Sequence, residues 1–413
     1  MNLPKINSER LWQRHMIMAE IGATSAGGVD RQALTAEDIE AHRLLADWAV
    51  DLGFAVEIDA IGNMFIRRPG RVASAPPVAG GSHTDTQPKG GRFDGIFGVL
   101  AAFEVLQTAE EAGVETEVSL EAIAWNNEEG SRYGPACMGS AVHAGAAPLD
   151  EMLDLTDRNG VTLRACVEDL AAELPMAEER NLGAPLAAYI EPHIEQALEL
   201  ETNENVIGAV TGMQGYRRFK TTVIGDAAHS GTTPHARRRD AFLAAVDMAR
   251  ALRDATEDPA DRVRFTIGKF EIPDSGLAIV PGRVEFVVDL RHPEKEMLTE
   301  LGDQVAVICE QNKGPCEVAC EEIAQQPPMT FDEAIVAGVE RSAENRGFSH
   351  QRIYSSAGHD ARHAAKLGRA GMIFIPCWQG LSHNEAERAE PEHIAAGTQV
   401  LSDMMLELAM SKE

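Results

Sequence analysis

The chain is poor in several features that would narrow its class at once. Its six cysteines (137, 166, 309, 316, 320 and 377) are scattered, with no C-x-x-C pair, which excludes a zinc ribbon or dithiol redox motif. They read as free, mostly buried thiols. Basic residues are scarce: 37 Lys and Arg face 65 Asp and Glu, for a net charge of −28, a balance that repels nucleic acid and anionic membranes. No apolar run approaches the roughly 18 residues of a membrane span. The first residues, "MNLPKINSERLWQRHMIMAEIG", lack a basic start, an apolar stretch and a small-residue cleavage site, so a cytoplasmic location is expected. A phosphate-binding G-x-x-x-x-G-K-[ST] loop is missing, and "GGRFDG" lacks the G-x-G-x-x-G spacing of a dinucleotide site. Neither an internal repeat nor a low-complexity segment is present.

What remains is a 413-residue chain with 44% hydrophobic residues, more than one core normally accommodates, so two domains are expected. Thr35 and Asp38 suggest a capping box ahead of a helix whose apolar face is Ile39, Leu44, Leu45, Trp48 and Leu52, ended by Gly53. Strand-like "FAVEIDAIGNMFIRR", "PPVAGGSH", "EVSLEAIAWNN" and "AAYIEPHIEQ" then alternate with helical stretches such as "GIFGVLAAFEVLQTAEEAG". This alternation predicts an α/β sheet with covering helices. Residues 212–326 follow another order: strand, helix, two strands, helix, strand. They read as a small α+β domain inserted into a larger one made of 1–211 and 327–413, where "MIFIPCW" and a helix over 391–410 resume the sheet and its cover.

Ligands in open α/β sheets gather beyond the carboxyl ends of the strands, and His83, Glu128, Glu129 and His193 all fall there. Alone, adjacent glutamates are ordinarily a solvated turn and a single histidine an ordinary packed or exposed residue. Convergence changes that reading. His83, Asp94, Glu129, His193 and His383 are imidazoles and carboxylates aimed at one rim, a donor set for divalent metal. Two ions about 3.5 to 4 Å apart can share one bridging carboxylate, and a spare carboxylate beside them, Glu128, can take a proton from water.

The segments "SHTDTQPKGGRFDGIFGV", "WNNEEGSRYGPACMGS", "EPHIEQALELE", "GVTGMQGYRRFKTTVIGDAAHSGTTPHARRRDA", "VPGRVEFVVDLRH", "SSAGHDA" and "MIFIPCWQGLSHNEAE" resemble, in order, the motifs of the M20 metallohydrolases. The branch they resemble is the amidases that include N-carbamoyl-L-amino-acid hydrolase, β-ureidopropionase and allantoate amidohydrolase. The resemblance runs from about residue 8 to the C-terminus. It implies a mixed-sheet di-metal domain with an inserted α+β domain that serves as dimerisation surface and lid. It implies two divalent ions per subunit, with zinc, manganese or cobalt all suited to the ligands. His83, Asp94 and His193 would hold one ion and Asp94, Glu129 and His383 the other.

By the same resemblance Glu128 is the general base, and Asp85 is a carboxylate that hydrogen-bonds His83 and orients it. His229 reaches the partner subunit's site in a homodimer and polarises the scissile carbonyl. Arg291 clamps a substrate carboxylate, and Gln196 and Gly358 occupy substrate-contacting positions, with His359 and Asp360 supporting the loop. Three positions depart from the branch: Ala278 stands where an Asn precedes "VPG", Ala197 replaces a glycine, and Tyr216 replaces a common Gln. None is a metal ligand. The expected activity is hydrolysis of the C–N bond of a small carboxylate-bearing amide or ureide, foremost an N-carbamoyl amino acid, then allantoate or an N-acyl amino acid. A binding protein on the same fold would require loss of a ligand or of the base, and all are present.

Overall fold

A computed structural model describes residues 3–411. The chain forms two compact units: one runs to Thr211 and resumes at Phe331, and the other is Gly212–Thr330. The second crossing falls at 330/331 because Met329–Thr330, beyond the long strand Glu317–Gln326, pairs antiparallel with Gly212–Met213.

The larger unit is built on a mixed sheet, as expected. Its middle is four parallel strands in the order Arg369–Ile375, Ala188–Ile194, Val78–His83 and Leu120–Trp125. Antiparallel neighbours flank them: Ile207–Met213 beside the first and Met64–Arg68 beside the last. The strands are buried on both faces because helices cover both, the usual condition of parallel strands. Helix Ile96–Glu111, buried almost all round, packs on the sheet and against helix Pro391–Met410, which also touches the sheet. His83 pairs with Trp125 and His193 with Phe374, so all four strands end at one level. That shared edge carries His83 and His193.

One helix differs from its sequence reading. Ala36–Asp51 buries Asp38, Ala41, His42, Leu45, Ala46 and Ala49, a stripe rotated from the expected face. Asp38 causes the rotation. Thr35 Oγ1 accepts the Asp38 amide, but the Asp38 carboxylate accepts from Leu34 N at 2.8 Å and from Thr84 Oγ1 at 2.7 Å, which draws it inward beneath the residue after His83.

The Gly212–Thr330 unit is an antiparallel sheet in the order Arg264–Glu271, Arg283–His292, Gly215–Ile224 and Glu317–Gln326, with helices Ala241–Ala255 and Lys295–Gln311. Along Arg283–His292 every second residue is buried, the period-2 signature of a sheet with one covered face. Val223, Val284, Phe286 and Val288 meet Ala245, Met248 and Cys309 from the helices in a core of its own. Among the described residues no helix is long and apolar enough to cross a membrane, and the cysteines are free thiols.

Candidate metal centre and active site

His83 ends its strand and Asp94 follows eleven residues later, where the loop "TDTQPKGGRF" returns to the sheet edge just before helix Ile96–Glu111. The return needs Gly95: its φ is +69°, and a Cβ there would lie 2.2 Å from the His83 ring. His193 is the penultimate residue of the neighbouring strand. Donor atoms of His83, Asp94 and His193 lie within 4.8 Å of one another, as do those of Asp94, Glu129 and His383, so Asp94 belongs to both sets. Its Oδ1 is 3.1 Å from His193 Nε2 and 3.7 Å from His83 Nε2. His383 Nε2 lies 3.5 Å from Asp94 Oδ2 and 3.4 Å from Glu129 Oε2.

The hydrogen bonds decide which ring nitrogens face inward. His83 Nδ1 lies 2.8 Å from the Asp85 carbonyl oxygen and His193 Nδ1 2.9 Å from that of Ile194. Carbonyls only accept, so each Nδ1 carries a proton and each ring turns its Nε2 toward Asp94, with a lone pair there whenever the ring is neutral. Burial lowers the pKa of His83 to about 4. His193 is also disfavoured as a cation by burial, but Asp94 outweighs this and raises it to about 9. Yet its buried Nε2 makes no hydrogen bond among the described residues, since the direction of an N–H there misses the carboxylate. Two imidazole lone pairs and a shared carboxylate, close but not hydrogen-bonded, fit a cation between them better than a proton.

Carboxylates crowd the same edge. Burial, then the charges of Asp360, Glu129 and Asp85, push Glu128 well above the usual carboxylate range. Burial and the charges of Asp94 and Asp85 do the same to Glu129, against hydrogen bonds from Gln87. Such crowding is relieved by positive charge, which a divalent ion would add. The donor chemistry therefore fits divalent metal. Glu128 lies beside both donor sets without belonging to either: its Oε2 is 3.6 Å from His83 Nε2, while its Oε1 accepts from Cys137 Sγ at 3.2 Å. A carboxyl held there can carry a proton to and fro.

Asp85 acts differently from the expectation. Its carboxylate is 3.7 Å from His83 Nδ1, and the contact to the ring is made by its backbone carbonyl instead. The carboxylate accepts the backbone N–H groups of Glu128 at 3.1 Å and Glu129 at 3.2 Å. Gln196, with φ of +58°, donates Nε2 to Asp94 Oδ2 at 2.8 Å and leaves its amide oxygen without a partner among the described residues. Gly358 is exposed in the loop after strand His350–Ser355. Beside it, the His359 ring stands 4.5 Å from that of His193, and Asp360 accepts from Ser140 Oγ at 2.5 Å.

The remaining sequence candidates lie in the Gly212–Thr330 unit. His229 is exposed, and its Nδ1 accepts the amides of Gly231 and Thr232, so its Nε2 carries the proton and faces outward as a donor. Ala278 is close by, its carbonyl accepting from Ser230 N at 2.9 Å. Arg291 pairs across strands with Tyr216. Asp289 accepts from Arg291 Nε and Nη2 at 2.8 and 3.3 Å and from Arg218 Nε at 2.7 Å, while the Arg218 guanidinium stacks on the Tyr216 ring.

Residues 79–407 match the Peptidase family M20/M25/M40. The chain belongs to this family. It is 37% identical over 410 residues to an N-carbamoyl-L-amino-acid amidohydrolase of Rhizobium meliloti, covering 98% of this chain and 97% of that one. An allantoate amidohydrolase of Bacillus subtilis (strain 168) is 31% identical over 398 residues, 95% of each chain. Among solved structures, an amidase of the hydantoinase/carbamoylase family from Burkholderia multivorans superimposes with a TM-score of 0.89 at 42% identity, over 98% of this chain and 99% of that one. The M20 match also spans residues that the sequence reading passed over: Gln87, Cys137, Ser382 and Glu387 all touch the candidate ligands or base. Only their place within the quoted motifs hinted at them, because a buried polar residue looks like a solvated one in sequence.

Proposed function

We propose that this M20 enzyme hydrolyses the C–N bond of the ureido group of an N-carbamoyl amino acid, using two divalent ions. One observation carries the reading: Asp94 is common to two donor sets, and Glu128 stands 3.6 Å from a ring nitrogen of one of them without being needed as a ligand. Bound there, the ions would supply Lewis acidity, acidifying water and polarising a carbonyl oxygen. His83, Asp94 and His193 would hold one, and Asp94, Glu129 and His383 the other. Glu128 takes the proton of the attacking water and passes it to the departing nitrogen. Asp85 fixes the backbone from which Glu128 projects. His229, with Nε2–H free, donates to the carbonyl oxygen, and the family resemblance assigns this to the partner subunit of a homodimer. Arg291, braced by Asp289, receives the substrate carboxylate.

Zinc heads the metals this ligand set suits, with manganese and cobalt behind, and a cytoplasmic site of action completes the reading. The allantoate amidohydrolase relative supports allantoate as a second substrate. Ala278, which cannot offer an amide, is the residue that bears on this choice. The test is a panel of N-carbamoyl-α-amino acids, N-carbamoyl-β-alanine, allantoate and N-acetyl amino acids, assayed with each metal, alongside the mass of the protein in solution. Ammonia release from the N-carbamoyl compounds above all others is expected. Turnover of the N-acetyl compounds alone would overturn the ureido assignment.

A further inference from the structure

We infer that Glu387 is a positioning residue that ties the loop bearing Asp94 to the loop bearing His383, and so sets the geometry of the second donor set. The inference rests on the two-ion reading above. Glu387 lies four residues after His383 and is buried. Its Oε1 accepts the backbone N–H groups of Phe93 at 3.0 Å and Asp94 at 3.1 Å. Its Oε2 lies 3.2 Å from Ser382 Oγ, and that hydroxyl donates to Asp94 Oδ2 at 2.6 Å. Glu387 therefore grips Asp94 directly at the backbone, and its Oε2 lies beside the Ser382 hydroxyl that holds the Asp94 carboxylate.

A second observation, in the partner loop, agrees. A Cβ on Gly91 would lie 2.0 Å from the Glu387 carboxyl carbon, so the backbone before Asp94 comes closer to this carboxyl group than any side chain would permit. The loop is thus shaped around Glu387. Gln196, donating to both Asp94 Oδ2 and Ser382 Oγ, closes the circuit. Asp94 and His383 are far apart in the chain and share a donor set, so what joins their loops fixes their spacing. Glu387 and Ser382 are that junction, and Glu387 belongs to neither donor set.

The experiment compares Glu387→Ala, Glu387→Gln and the wild-type full-length chain in two ways. In metal-free protein, hydrogen exchange of the peptide containing Phe93 and Asp94 should speed up about tenfold or more in Glu387→Ala, with helix Ala241–Ala255 unchanged. Glu387→Gln, whose amide oxygen still accepts both N–H groups, should stay near wild type. In metal titration followed by dialysis and elemental analysis, Glu387→Ala should keep the first ion and bind the second about 10- to 100-fold more weakly, with Glu387→Gln in between. Unchanged exchange in Glu387→Ala overturns the inference, as does second-ion affinity equal to wild type. Faster exchange everywhere would mark a general loss of stability and also overturn it. If the wild type binds no metal, the proposed function and the metal role of Glu387 fall together, and the exchange arm alone decides whether Glu387 holds the Asp94 loop.

Discussion

The Asp85 carboxylate accepts the backbone N–H of Glu128 at 3.1 Å, and in doing so it aims the side chain next door. Its other oxygen accepts from Glu129, so one carboxylate sets the backbone of both the proposed base and a proposed ligand. Asp85→Asn puts an NH2 group against one of these N–H donors. We expect kcat to drop about 10- to 100-fold in a steady-state assay while circular dichroism stays that of the wild type. Full activity in this variant would show that the two amides need no acceptor.

Glu128→Gln keeps the shape of the side chain and removes its ability to carry a proton. Turnover should fall about 10²- to 10⁴-fold, and elemental analysis should find the metal content of the wild type. Retained activity would remove Glu128 from the reaction.

Gly95→Ala forces a side chain into left-handed backbone and against the His83 ring. Stability should fall on the order of 1–3 kcal/mol in denaturant melts, and the first ion should be lost on dialysis because His83 must turn away. A variant with wild-type metal content would mean that the loop shifts freely, contrary to its buried setting.

Arg291→Lys keeps the charge and loses the planar fork that Asp289 holds. KM for a carboxylate-bearing substrate should rise about tenfold with a smaller change in kcat, as measured over a substrate concentration series. An unchanged KM would send the carboxylate elsewhere.

His15 offers a pH test away from the metal centre. Its ring packs against Phe93 and Phe97, with neither nitrogen hydrogen-bonded among the described residues. Burial lowers its pKa from 6.5 to about 3. The unfolded chain therefore binds the proton more readily, so the stability contributed by the neutral ring is complete above pH 6.5 and is lost as pH falls from there toward 3. Each pH unit in that window costs on the order of 1 kcal/mol. His15→Leu should flatten this part of the curve in urea melts at pH 4 to 7. An equal slope in both proteins would exclude His15 as its source.

Much of this was legible in the sequence because it rests on periodicity and strand ends. The alternation of apolar runs gave the sheet and its helices, and His83, Glu129 and His193 could be placed at one rim from their position after those runs. Contacts that run through the backbone could not be read the same way. Whether Asp85 meets a ring or two amides depends on a rotation of one side chain, and the letter is the same in both cases. Asp38 shows the same limit: its place in a capping pattern tied it to the start of its own helix, and its carboxylate instead accepts from Thr84, 46 residues away. Glu387 depends on a partner loop 293 residues distant, which no local pattern can announce.

The chain enters and leaves its inserted unit through neighbouring residues. Gly212 pairs with Thr330, and just outside them the Phe331 N–H bonds to the Thr211 carbonyl at 2.9 Å. A gene could therefore lose or exchange the whole insert by splicing at one spot, with a tight turn closing Thr211 onto Phe331 and none of the four parallel strands cut. The fold is in this sense modular: the larger unit can be kept constant while the inserted one, which holds Arg291, Tyr216 and Ala278, is exchanged.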